Sequence, residues 1–274
     1  MQGVQRHLGT PAEGLTASEL SWGEDDAVVD GVRQRRFDVV SGERVAPGTL
    51  WTPSPAGDLR PASSPLVLLC HGASGSKDQG YVVSMGRRLA RTYGMAAAAI
   101  DGPVHGDRRP GPHASTALVL AEFAQLWAND GDAMTDAMVA DWRGTLSALQ
   151  GLDEISDGPA GWWGVSMGTI LGLPVVAAEP RIGAAVLGLM GLIGPTRARI
   201  ARDAPDVRCP VLFLVQWDDA LFPCTDALAL FEAIGSTDKR LHAYLGGHGD
   251  LPGEAFSASA RFLANRLGGR SASQ

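Results

Sequence analysis

Three short stretches carry residue types that can do nucleophilic chemistry. The first is Gly164-Val165-Ser166-Met167-Gly168, which follows the apolar Trp162-Trp163 and precedes Thr169-Ile170. A strand that turns at once into a helix strains its apex residue, and only small neighbours let the backbone fold that sharply. The serine side chain then stands clear of the sheet, and the Met167 N–H points into the same space at a helix start. In a chain with 35 glycines the pentapeptide alone is a weak signal; its strand-before, helix-after setting strengthens it.

A serine hydroxyl needs a general base and a group to orient that base. The second stretch, Gln216-Trp217-Asp218-Asp219-Ala220-Leu221-Phe222-Pro223, offers Asp218 or Asp219. The third, Gly246-Gly247-His248-Gly249-Asp250, offers His248. Each follows a short apolar run of strand length. Three successive strand ends therefore carry Ser, Asp and His to one edge of a sheet, where loops of parallel sheets hold their sites.

The elements that must position these groups follow from periodicity. Pro65 to Cys70 is a continuous apolar run, the mark of a strand buried on both faces. It ends in the turn His71-Gly72-Ala73-Ser74-Gly75-Ser76, and a helix is expected from about Gln79 to Thr92. Strands are expected at Met95–Ile100, Ala184–Met190, Val211–Gln216 and Leu241–Leu245, and helices at Met134–Leu149, Thr225–Ile234 and Glu254–Leu267. That alternation predicts parallel βαβ units. Arg35–Val40 and Arg44–Thr52 read as strands joined too tightly for a crossover helix, hence antiparallel. Residues 1–30 read as a loosely packed lead-in and 31–270 as a single domain.

The totals restrict the alternatives. The 274 residues are 45% hydrophobic and 19% charged, with net charge −7 and no basic block, so neither nucleic acid nor an anionic membrane is an expected partner. No apolar run reaches the length of a membrane span, and Met1 to Leu20 lacks the apolar core of a signal peptide. Cys70, Cys209 and Cys224 are odd in number and widely spaced, as expected of reduced thiols in a cytoplasmic protein. Cys70, last residue of a buried strand, is expected in the core rather than as a nucleophile. No histidine or carboxylate pair has metal spacing, and no phosphate-binding glycine loop is complete, so no metal or cofactor is expected. His7 and His113 lie in polar stretches, and His242 lies inside the last strand.

Taken together, the elbow, the His-Gly turn and the Gly-Gly-His turn make the chain resemble the α/β-hydrolase superfamily, and within it the dienelactone-hydrolase-like serine esterases. The resemblance runs from about Arg35 to Leu267. It implies a mostly parallel sheet of about eight strands, helices on both faces, an antiparallel N-terminal hairpin and no large cap domain. It implies Ser166 as nucleophile and His248 as general base. The family's acid loop, Gly-x-x-Asp-x-x-Val-Pro, is matched by Gln216 to Pro223 with Gln for Gly and Phe for Val, which favours Asp219 over Asp218. The residue after His-Gly, Ala73, corresponds to the second oxyanion donor beside Met167. His71 and His105 are expected to shape the turns rather than to transfer protons. Dienelactone hydrolases themselves carry cysteine at the elbow; Ser166 departs from that and points to ordinary ester chemistry.

The expected substrate is a small or medium uncharged carboxylic ester. Phe123, Trp127, Trp217 and Phe222 are expected to line an apolar pocket, with 109–132 as its cover; Phe123 and Trp127 fit a helix's core stripe equally well. Thioesterase, amidase or C–C hydrolase chemistry would use the same residues, and a silent binding protein is the reading from another class. The strand and helix near the C-terminus could form a homodimer contact.

Overall fold

The computed structural model describes residues 18–54, 63–109 and 114–269. Three strands open the chain: β1 (Glu19–Val29), β2 (Val32–Ser41) and β3 (Arg44–Pro53). They form an antiparallel meander whose last strand pairs with β5 (Ala96–Ile100). From there the sheet is parallel, through β5, β4 (Leu66–Cys70), β6 (Ala160–Gly164), β7 (Ile182–Gly188), β8 (Val211–Gln216) and β9 (Lys239–Tyr244). The strand order β1-β2-β3-β5-β4-β6-β7-β8-β9 makes nine strands among the described residues, one more than expected.

The extra strand is β1, where sequence reading put the end of a loose lead-in. Its residues are nearly all exposed, so no buried face announces it. It is held by its ladder to β2 and by a tight turn in which Asp30 and Gly31 take positive φ (51° and 74°), as the short Asp-Gly hairpin requires. The Trp22 ring adds a contact, edge-on to Phe37 at 6.5 Å with the Arg35 guanidinium 3.9 Å from its centre.

Alternating side chains of the central strands divide the core in two. Leu66, Leu68 and Cys70 of β4 join Trp142, Trp162 and Phe213 on one face, while Val67 and Leu69 join Trp51, Trp163 and Leu263 on the other. The first face is covered by α2 (Thr116–Gln150), α4 (Gly172–Ala178) and α6 (Cys224–Ala233), the second by α1 (Gly80–Tyr93) and α7 (Gly253–Leu267). Short helices α3 (Met167–Ile170) and α5 (Arg197–Asp203) complete the set.

Helix α2 runs through both the expected cover segment and the expected Met134–Leu149 helix. Asp130, with φ −133° and ψ 29°, bends it without ending it. The next residue explains why the sequence reads as a break: a Cβ at Gly131 would stand 2.7 Å from the Thr196 side chain, so glycine is required by close approach. Ser115 caps the start, its hydroxyl accepting the Leu118 N–H at 3.3 Å.

Candidate active site

Ser166 sits between the end of β6 and α3 with φ 59° and ψ −123°, a strained conformation for a residue with a Cβ. Its neighbours explain how the strain is held. A Cβ at Gly164 would stand 2.6 Å from the Gly168 carbonyl oxygen, and one at Gly168 would stand 2.8 Å from the Cys70 carbonyl oxygen. Thr169 fastens the turn from below: its hydroxyl lies 3.0 Å from the Gly164 oxygen and 2.7 Å from the Gly188 oxygen, and accepts the Gly188 N–H at 2.8 Å. The Ser166 N–H donates to the Gly188 oxygen at 2.9 Å. No sequence signal beyond the pentapeptide pointed to Thr169.

The loops after β8 and β9 bring Asp219 and His248 to this serine. His248 Nδ1 donates to Asp219 Oδ2 at 2.7 Å, which leaves Nε2 to accept the Ser166 hydroxyl at 2.8 Å. Asp219 is buried, and its other oxygen accepts the N–H groups of Leu221 and Phe222 at 2.8 and 3.0 Å. Both carboxylate oxygens are thus engaged by donors. Asp218 points elsewhere: its backbone N–H donates to the Gly246 oxygen at 3.1 Å, and its carboxylate accepts the Gly246 N–H at 3.3 Å. It braces the histidine turn without reaching the ring. Gln216, which replaces the expected glycine, also braces that turn by donating to the Gly247 oxygen at 3.2 Å.

The His-Gly turn after β4 lies across from the elbow. His71 Nδ1 donates to the Gly72 oxygen at 2.8 Å, and its Nε2 accepts the Gly102 N–H at 2.9 Å. The first of these fixes the peptide between Gly72 and Ala73 from its carbonyl side, turning the Ala73 N–H the other way. His105 Nε2 donates to the Ala73 oxygen at 2.9 Å, and the Tyr81 hydroxyl accepts the Gly72 N–H at 2.6 Å. Among the described residues, neither the Ala73 nor the Met167 N–H has an acceptor.

Both turn histidines are neutral. Burial, reinforced by His105, Lys77 and Arg108, pushes His71 down to about 3. Burial also lowers His105. Their ring nitrogens hold backbone groups of the two turns. The loops bearing them are joined by a buried ion pair that nothing in the sequence announced. Lys77 Nζ lies 2.7 Å from Asp101 Oδ2 and 2.6 Å from Asp107 Oδ2. Burial alone would lower the lysine, but the neighbouring carboxylates, Asp101 foremost, outweigh it and raise it.

The four aromatic residues fall into two groups. Phe222 lies against the His248 ring with centres 5.5 Å apart, and Trp217, on the same loop, is 54% exposed. Phe123 and Trp127 stack on α2 with centres 6.1 Å apart. Phe123 is buried in the core, and Trp127 donates its Nε1–H to Thr196 at 2.8 Å. Cys70 is buried, and burial pushes its thiol up to about 12, which keeps it protonated. His242 lies in β9, whereas His7 and His113 fall outside the described residues. Among the described residues no group of three or more His, Cys, Asp or Glu side chains is arranged to hold a metal ion. Among the described residues no helix is long and apolar enough to cross a membrane.

This sheet order, with a strained serine at a strand-to-helix turn, defines an α/β hydrolase. Solved structures give the finer class. A cold-adapted esterase from an Arctic intertidal metagenomic library, in complex with polyethylene glycol, superposes with a TM-score of 0.78 at 37% identity, over 90% of this chain and 99% of that one. An acetyl xylan esterase from Paenibacillus sp. R4 (18% identity, 93% of this chain and 90% of that one, TM-score 0.68) shares the fold. So does a dienelactone hydrolase from Anabaena variabilis (20% identity, 86% and 97%, TM-score 0.60). No protein-family model matches the chain, and no curated protein does. The chain belongs to the same family of α/β-hydrolase esterases as that metagenomic enzyme, and it is a carboxylic ester hydrolase.

Proposed function

We propose that the protein cleaves small to medium carboxylic esters through an acyl-enzyme on Ser166. The observation that carries this reading is the continuous relay from Asp219 through His248 to the Ser166 hydroxyl, with 2.7 and 2.8 Å links. His248 Nε2 takes the hydroxyl proton as Ser166 Oγ attacks the ester carbonyl, and Asp219 stabilises the imidazolium that forms. The N–H groups of Ala73 and Met167 donate to the developing oxyanion. His248 then gives its proton to the leaving alcohol, and water attacks the acyl-enzyme by the same route.

The substrate is read as a small to medium uncharged ester, in keeping with a net charge of −7 and no basic block in the sequence. Phe222 and Trp217 would form an apolar wall beside His248, whereas Phe123, buried, and Trp127, bonded to Thr196, serve as packing of α2. A single domain spans residues 31–270, extended by β1, in keeping with the continuous sheet. Cytoplasmic residence is supported by the free state of all three cysteines.

A fluorophosphonate probe with mass spectrometry to locate the adduct, followed by a p-nitrophenyl ester chain-length series, tests the reading. Labelling at Ser166 with turnover of short esters is expected. A labelled protein without ester turnover would move the reaction to thioester, amide or C–C substrates. A folded protein that is not labelled would overturn the nucleophile.

A further inference from the structure

The cleft between β9 and α7 takes no part in the relay. It is an open surface cleft of about 460 Å³ at the edge of the sheet, beside the start of β9 rather than the end that carries His248. Arg240 and His242 alternate on one face of β9, and Arg261, Asn265 and Arg266 come from α7, with Phe262 beside them. Arg261 and Asn265 are one helical turn apart, so their donors share a face.

The charges here do not balance. Asp238 is the carboxylate within reach, 2.5 Å from Arg266 and 3.9 Å from Arg240. Among the described residues Arg261 has no carboxylate partner. Three guanidinium groups thus face one carboxylate, in a chain whose net charge is −7. Guarding an edge strand against pairing needs charges on the strand alone. It gives no reason for arginines on the helix opposite. Guanidinium groups converging from two walls suit an oxyanion, whose oxygens accept their paired N–H groups. The volume exceeds what a bare anion fills and leaves room for an organic remainder.

We propose that this cleft binds a phosphate-bearing small molecule. Its two walls are also the elements on either side of the His248 turn, since β9 ends at Tyr244 and α7 begins at Gly253. An occupant bridging them fastens the two supports of that turn.

The test uses sodium pyrophosphate as probe, with sodium chloride at matched ionic strength as control, on the full chain. The melting temperature is expected to rise by about 5 °C at a hundredfold excess over Kd. The double variant Arg240→Ala/Arg261→Ala is expected to lose that rise while keeping its far-UV circular dichroism spectrum. A rise no larger than with sodium chloride would overturn the proposal. So would a rise that survives in the folded double variant. Neither result bears on the esterase reading.

Discussion

Gly168 packs so closely on Cys70 that a Cβ there would stand 2.8 Å from the Cys70 carbonyl oxygen. This contact presses the first turn of the elbow helix onto the strand that carries the His-Gly turn. It therefore sets the separation between the Met167 and Ala73 N–H groups. Gly168→Ala is expected to cost about 1–3 kcal/mol, because the clash is with backbone that cannot rotate away. The resulting shift between the two donors should lower kcat on the order of a hundredfold. Urea melts and p-nitrophenyl acetate kinetics on one preparation check both; wild-type kcat would uncouple the contact from the oxyanion donors.

The two neighbouring aspartates separate cleanly. Asp219 bonds to the imidazole, whereas the hydrogen bonds of Asp218 among the described residues go to the Gly246 backbone. Asp219→Asn is expected to lower kcat by about 10⁴-fold, since an amide N–H facing Nδ1 favours the wrong tautomer. Asp218→Asn should leave kcat within the same order of magnitude. Steady-state kinetics with the larger loss in Asp218→Asn would reverse the assignment, and equal losses would abolish the distinction.

How far these features could be read in advance depended on where the information lies. Buried strands β4, β5 and β8 are announced by uninterrupted apolar runs, and the order of Ser, Asp and His along the chain follows from their strand ends. β1 buries no face, so hydrophobic pattern is silent there; only the Asp30-Gly31 turn could have disclosed it. The polar run through Asp130 looks like a helix end, yet the helix bends there and continues, with Gly131 lying close against Thr196. Lys77 and Asp101 lie 24 positions apart with no motif between them. Their pairing is a product of the fold.

Acid should weaken the fold through His71. The folded group is held at about 3, while the unfolded chain takes up the proton near the ordinary 6.5. Between those values the unfolded state binds more protons, so stability rises with pH. The contribution is complete above about 6.5 and declines by about 1.4 kcal/mol for each unit of acidification. His71→Asn can keep a donor and an acceptor without the titration. Urea midpoints between pH 4.5 and 7 should fall less steeply in that variant; parallel slopes would assign the acid sensitivity to other groups.

Trp127 fills the seam between α2 and the loop before α5. A Cβ at Gly194 would stand 2.6 Å from its ring, and its indole N–H is satisfied by Thr196. Trp127→Ala is expected to cost about 3 kcal/mol, lowering Tm by roughly 6–12 °C. Calorimetry beside an acyl-chain series checks this. A changed chain-length preference at unchanged Tm would make Trp127 a pocket wall rather than a structural wedge.

At the elbow, the flanking positions 164 and 168 are blocked by main-chain atoms, whereas the apex side chain projects into open space toward His248. The scaffold therefore fixes where the proposed nucleophile stands without fixing which atom it presents. Exchanging the serine oxygen for sulfur asks nothing new of the backbone, so the reacting element can change in a single step while the surrounding architecture stays as it is. The glycines have no such latitude, and a lineage could explore new chemistry at this site only through the one residue they hold aloft.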